Sequence, residues 1–140
     1  MQMVQSVIRN LLSNALKFTP ENGLIEMIAV EKDMEVEISV KDSGVGISAS
    51  NLKKILDPEQ PLQTFGTNKE SGSGLGLLLC KDFVEKNGGK IWVESEEGKG
   101  STFFFTIKFE KAAEQKKDLW KPAIDLRGLK VLVCDDNETS

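Results

Sequence analysis

Residues 4–18, VQSVIRNLLSNALKF, constrain the fold of this chain more than any other segment. Val4, Val7, Ile8, Leu11, Leu12 and Ala15 recur at helical spacing and gather on one side. That pattern predicts an amphipathic helix whose apolar stripe packs against a sheet. The polar side is unusual. At 100° per residue, Asn10, Asn14 and Lys17 fall within about 60° of one another. Asparagine is a mediocre helix former because its amide competes for nearby backbone groups. Two of them in mid-helix, followed by an ammonium, have two readings. One is a solvated polar face; the other is a site offering amide oxygens to a hard cation and a positive charge to phosphate.

The remaining limits are modest. A chain of 140 residues holds one domain with a proper core plus a tail. Its net charge of -4, with no dense run of Lys or Arg, argues against a nucleic-acid partner. No apolar stretch approaches the roughly 20 residues a membrane helix needs, and Met1 is not followed by a signal peptide, so direct membrane contact is not expected and a cytoplasmic setting is. Cys80 and Cys134 lack metal-ligand spacing and read as reduced thiols buried by packing. The chain contains no histidine.

The punctuation along the chain orders the elements. A turn at residues 19–23 leads into a strand at 24–30, apolar on both faces, and a polar turn at 31–34 returns it as a strand at 35–41. In that second strand Val36, Ile38 and Val40 alternate with Glu35, Glu37, Ser39 and Lys41, the signature of a half-buried antiparallel strand. Ser48 caps a short helix over 48–56. Residues 57–73 then run polar, a length of loop typical of functional lids. A second amphipathic helix spans 74–87, with Leu75, Leu78, Leu79, Phe83 and Val84 on its apolar side and Asn87-Gly88-Gly89 as its stop. Strands at 90–95 and 101–109 follow, the last placing Phe103, Phe105, Ile107 and Phe109 on one face. This order predicts an α+β two-layer sandwich, helices on one face of a mixed, largely antiparallel sheet, with a mobile lid.

Two glycine-rich segments join the asparagine helix as candidates for chemistry. Asp42-Ser43-Gly44-Val45-Gly46-Ile47 leaves the second strand. It reads either as a plain turn or as a carboxylate acceptor beside backbone that a flat ligand can approach closely. Gly72-Ser73-Gly74-Leu75-Gly76-Leu77 opens the second long helix. It is either a hinge for the lid or a phosphate site, since a helix N-terminus offers N–H groups and a positive dipole end. The dinucleotide fingerprint fits poorly, because Leu77 stands where it needs a third glycine. A Walker-type phosphate loop is absent.

Taken together, these segments resemble the ATP-binding catalytic domain of sensor histidine kinases, in the superfamily of gyrase, heat-shock chaperone, histidine kinase and mismatch-repair ATPases. Residues 10–20 resemble the N box, residues 42–47 the first glycine box and residues 72–77 the second. Gly-Gly-Lys-Ile-Trp-Val-Glu-Ser (88–95) and Gly-Lys-Gly-Ser-Thr-Phe (98–103) resemble the closing strands. The resemblance covers about residues 1–109 and implies ATP and Mg²⁺ as cofactors. It implies that Asn14 ligates Mg²⁺ through its amide oxygen, with Asn10 near the phosphates or the metal's water shell. Lys17 would offset phosphate charge and Phe18 would border the nucleotide. Asp42 would accept from the adenine amino group, with Gly44, Gly46 and Ile47 lining the base pocket and Ser101 also reaching the base. Gly72, Gly74, Leu75, Gly76 and Leu77 would face the phosphates.

Within the superfamily, ATP-hydrolysing members place a glutamate base where this chain has Asn10. An amide cannot take that proton at neutral pH, which favours phosphoryl transfer to a supplied acceptor. The lid departs from the family pattern of two phenylalanines, having Phe65 alone; Thr67 and Lys69 are its candidates for phosphate contact. The phosphoacceptor histidine of such kinases stands on an upstream dimerisation domain. A chain without histidine is therefore expected to be a kinase fragment that cannot autophosphorylate alone.

Residues 110–128 read as a linker. Residues 129–140 resemble the first strand of a receiver domain, with Asp135 and Asp136 as its paired acids, or else an ordinary strand and acidic turn. A receiver domain, in the same or another protein, is thus an expected partner. Two other functions stay open: a serine kinase of the anti-sigma class, and a degenerate module that binds a partner without nucleotide. An ATPase of gyrase or chaperone type ranks behind them for want of a base at Asn10.

Overall fold

The computed structural model describes residues 2–60, 64–65, 71–72 and 74–109. The expected linker at 110–128, the receiver-like segment at 129–140, Thr67 and Lys69 lie outside the described residues. In chain order the elements are α1 (Gln2–Phe18), β1 (Ile25–Lys32), β2 (Glu35–Asp42), α2 (Ala49–Leu52), β3 (Thr64–Phe65), β4 (Ser71–Gly72), α3 (Leu75–Lys86), β5 (Ile91–Glu96) and β6 (Gly100–Lys108).

The four-stranded sheet has the order β1-β2-β6-β5, and every pairing in it is antiparallel. The parallel component expected of a mixed sheet has no counterpart among the described strands. The reason is topological. The helical crossover carries the chain from β2 to β5, which runs parallel to it, and the hairpin return inserts β6 between the two. β3 and β4 form a separate two-stranded ladder inside the segment read as an irregular lid.

Helices cover one face of the sheet: α1 lies over β2, and α3 over β5 and β6. Beneath them Val7, Ile8, Leu11 and Ala15 of α1 meet Ile38 and Val40 of β2 and Phe103 and Phe105 of β6. Phe105 is 0% exposed, and truncating such a ring typically costs about 3–5 kcal/mol. On the opposite face Trp92 and Phe104 stack with centroids 5.1 Å apart. β1 is not buried on both faces as its composition suggested: Ile25 and Met27 are partly buried against the core, whereas its second half is exposed. It is the rim of the sheet, away from the helices, and its turn is the two residues Asp33 and Met34, with Asp33 at φ 43°.

Two helices differ from expectation. α2 ends at Leu52, beyond which Lys54 and Ile55 both donate to the Asn51 carbonyl in a tightened turn. Its cap is as read, since the Ser48 hydroxyl accepts from Asn51 N–H. On α3 the inward stripe is Leu77, Cys80 and Val84, whereas Leu75, Leu79 and Phe83 are exposed. Apolar residues surround this helix, so its period admits two faces. The one chosen by packing carries Cys80, read as a buried thiol, and Leu77, which the sequence reading left out of the stripe. The stop is as read: Gly88 N–H donates to Glu85 and Gly89 N–H to Val84, a Schellman closure.

Candidate functional site

The period of two in β2 does more than build the core. It continues past Val36, Ile38 and Val40 to Asp42, which is 5% exposed at the strand's end. Burial pushes the Asp42 carboxyl above its ordinary value, and hydrogen bonds from the backbone N–H groups of Gly44 and Ser101 draw it part of the way back. The Gly44 bond to Oδ1 measures 2.9 Å. Asp42 and Ser101 are also register partners across β2 and β6. The sheet thus ends in a buried carboxylate, held by backbone donors on two sides and suited to accept from an amine.

The glycine-bearing loop after Asp42 is packed without room for side chains. A Cβ at Gly44 would come within 2.3 Å of the Phe18 carbonyl, and one at Gly46 within 2.1 Å of the Glu96 carbonyl. Gly46 also takes φ 69°, a region that L side chains rarely adopt. Val45 N–H donates to the Phe18 carbonyl at 3.2 Å, tying the end of α1 to the loop. Ile47 N–H donates to Ser95 Oγ at 2.8 Å.

The other end of the site is where α1 meets α3. A Cβ at Gly76 would lie 2.5 Å from Asn10 Oδ1, so the amide of Asn10 rests against the first turn of α3. That turn begins at Gly74, the N-cap, at φ 70° and with no side-chain cap. Helix N-termini of this kind favour anions. Asn14 is one turn beyond Asn10 and half-buried, midway along α1 toward Phe18. The Lys17 ammonium stands 5.4 Å from the centroid of the Phe18 ring, within the range of a cation–π contact.

These contacts bring Asn10 to Gly76 and the Phe18 carbonyl to Gly44, whose N–H in turn holds Asp42 beside Ser101. Gly72 belongs to β4, paired with Thr64. Ser95 is a residue the sequence reading missed. Its signal was available: it shares the core-facing side of β5 with Ile91 and Val93, a polar residue where the alternation calls for an apolar one. Among the described residues no group of three or more His, Cys, Asp and Glu could hold a metal ion.

Comparison with known proteins agrees with this geometry. Residues 2–111 match the family described as histidine kinase-, DNA gyrase B- and HSP90-like ATPase. The sensor histidine kinase WalK of Bacillus subtilis is 39% identical over 86% of this chain, and LuxQ of Vibrio vulnificus, an autoinducer 2 sensor kinase/phosphatase, 38% over 98%. The chain spans about a fifth of the length of these relatives, 20% and 17% respectively. The nucleotide-free catalytic domain of the histidine kinase ThkA superposes with a TM-score of 0.63 at 36% identity, covering 76% of this chain and 66% of that one. Full-length ShkA in complex with AMPPNP gives 0.64 at 30%, covering 80% and 22%. The chain belongs to the histidine kinase-, gyrase B- and HSP90-like ATPase family, as an ATP-binding catalytic domain of the histidine kinase kind.

Proposed function

We propose that this domain binds Mg-ATP and donates the γ-phosphate to a histidine on a separate helical dimerisation domain, within a hybrid two-component sensor kinase. The observation that carries the reading is Asn10, an amide and not a carboxylic acid, resting against Gly76 at the start of α3. With no base there for water, catalysis rests on positioning and charge neutralisation. The acceptor's imidazole nitrogen attacks the γ-phosphorus, the bond to the β,γ-bridging oxygen breaks, and ADP leaves.

The remaining residues take the following roles. Asp42 accepts from the exocyclic amine of adenine, and Gly44, Gly46, Ile47 and Ser101 line the base. Phe18 borders the nucleotide, and Lys17 offsets phosphate charge. Gly72, Gly74, Leu75, Gly76 and Leu77 face the phosphates, with Thr67 and Lys69 of the lid as further contacts. Asn14, with Asn10 beside it, would hold Mg²⁺; neutral amide oxygens suit an ion that keeps several waters and shares phosphate oxygens. Bound there, the metal supplies neutralisation of the phosphate charge.

Partners follow from the same reading. The exposed Leu75, Leu79 and Phe83 form an apolar stripe on α3 suited to a helical domain. ThkA, 32% identical, is known in complex with the response regulator TrrA, which supports a receiver domain as the downstream partner. The likeness to LuxQ covers 98% of the chain, so it extends into the receiver-like tail. A cytoplasmic setting follows from the kinase reading; separately, no helix among the described residues is long and apolar enough to cross a membrane.

The test is transfer from γ-labelled ATP to a supplied histidine-bearing dimerisation domain. Acid-labile, base-stable label on that domain is the expected result. Acid-stable label on serine would favour the anti-sigma class. Phosphate release of equal rate without any acceptor would favour an ATPase.

A further inference from the structure

Ser95 makes contacts with an unusual distribution. Its Oγ accepts from Ile47 N–H at 2.8 Å, donates to the Gly100 carbonyl at 2.9 Å, and lies 2.9 Å from Ser101 Oγ. A hydroxyl has one proton and two lone pairs, so these three contacts use its full capacity, with Ser101 giving its proton to Ser95. The two segments joined in this way are the loop after Asp42 and the start of β6. They are also the two segments whose N–H groups, Gly44 and Ser101, hold the Asp42 carboxylate. Around this clasp the backbones are in close contact. Gly98 N–H donates to the Val45 carbonyl at 2.7 Å, and a Cβ at Gly100 would come within 2.0 Å of the Asp42 carbonyl.

We propose that Ser95 is a positioning residue for base recognition: it clasps the glycine loop to the β5–β6 hairpin and thereby fixes the direction of the Asp42 carboxylate. Ser95 acts through Asp42 and has no assigned contact with the nucleotide. Removing its hydroxyl leaves Ile47 N–H without its acceptor and Gly100 without its side-chain donor. The loop that carries Gly44 then loosens from β6. The consequence falls on selectivity, because a 6-amino purine needs an aimed acceptor whereas a 6-oxo purine gains nothing from one. This inference rests on the nucleotide-binding reading above.

The experiment measures ATP and GTP affinity for the wild type and Ser95→Ala, with amide exchange of both proteins in the absence of nucleotide. In the variant, ATP affinity is expected to fall about tenfold with GTP affinity nearly unchanged, a loss of about one hydrogen bond's discrimination. Exchange at residues 44–47 is expected to quicken while Phe105 stays protected. An unchanged ATP-over-GTP ratio, or exchange at Ile47 as slow as in the wild type, overturns the proposal. If Ser95→Ala loses the fold, Ser95→Cys preserves the volume with a much weaker hydrogen-bonding group and carries the same comparison. Wild-type protein that binds neither nucleotide removes the function proposed above. The exchange measurement still decides whether Ser95 holds the loop.

Discussion

The two ends of the site are built on opposite plans. At the end of β2 the Asp42 carboxylate is buried and held by Gly44 and Ser101, and a serine clasp secures the loop around it. At the α1–α3 contact the polar groups are half-buried amides, and the helix begins at a glycine with no side-chain cap. The first end is organised by the sheet before any ligand arrives. The second offers donors and dipole to something that brings its own charge. A buried acceptor gains selectivity from rigidity, whereas the phosphate site proposed at the start of α3 would gain from being completed by its ligand.

Breaking the rigid end has the largest expected effect. Asp42→Asn keeps the shape and replaces the charged acceptor, so ATP affinity should drop about tenfold to a hundredfold, as expected for a hydrogen bond to an ionised group. Titration calorimetry of both proteins measures this. Gly76→Ala breaks the other end: the added methyl meets Asn10 Oδ1 at 2.5 Å. It should weaken Mg-ATP about tenfold through overpacking and leave adenosine binding within about twofold. Equal loss of both ligands would deny the separation of the two ends.

The raised Asp42 carboxyl sharpens the comparison through pH. The folded state holds this proton more tightly than the unfolded chain, so the group's contribution to stability is present at low pH. It is lost as pH rises from the ordinary carboxylate value through the raised one. Base recognition runs the other way and weakens as pH falls through the same window. Denaturant titrations across that window should show a stability slope in the wild type that is absent in Asp42→Asn. The smallest effect belongs to the exposed stripe. Leu79→Ala should change stability by no more than about 0.5 kcal/mol while reducing transfer to a supplied dimerisation domain.

Much of this was legible in the sequence where the signal is local. The α1 stripe, the alternation of β2, the Ser48 cap and the Asn87-Gly88-Gly89 stop each depend on a few neighbouring residues, and each stands as read. The inward face of α3 was not legible, because leucines surround that helix and only the sheet beneath decides between faces. Nor was the insertion of β6 between β2 and β5, a pairing of residues some sixty positions apart such as Asp42 and Ser101. The role of Ser95 depends on that pairing. Of the candidate residues, Asn10, Phe18, Asp42, Gly44, Gly46, Ile47, Gly76 and Ser101 make contacts with one another or with the elements that frame the site. Thr67 and Lys69 lie outside the described residues.

The most direct test of a two-ended site is calorimetric titration of ATP, with and without Mg²⁺, into the wild type and Asn14→Ala. The account predicts Mg-dependent binding in the wild type and, in the variant, weaker binding that Mg²⁺ no longer improves, with adenosine affinity unchanged. The same Mg²⁺ dependence in both proteins, or no binding by folded wild type, would contradict it.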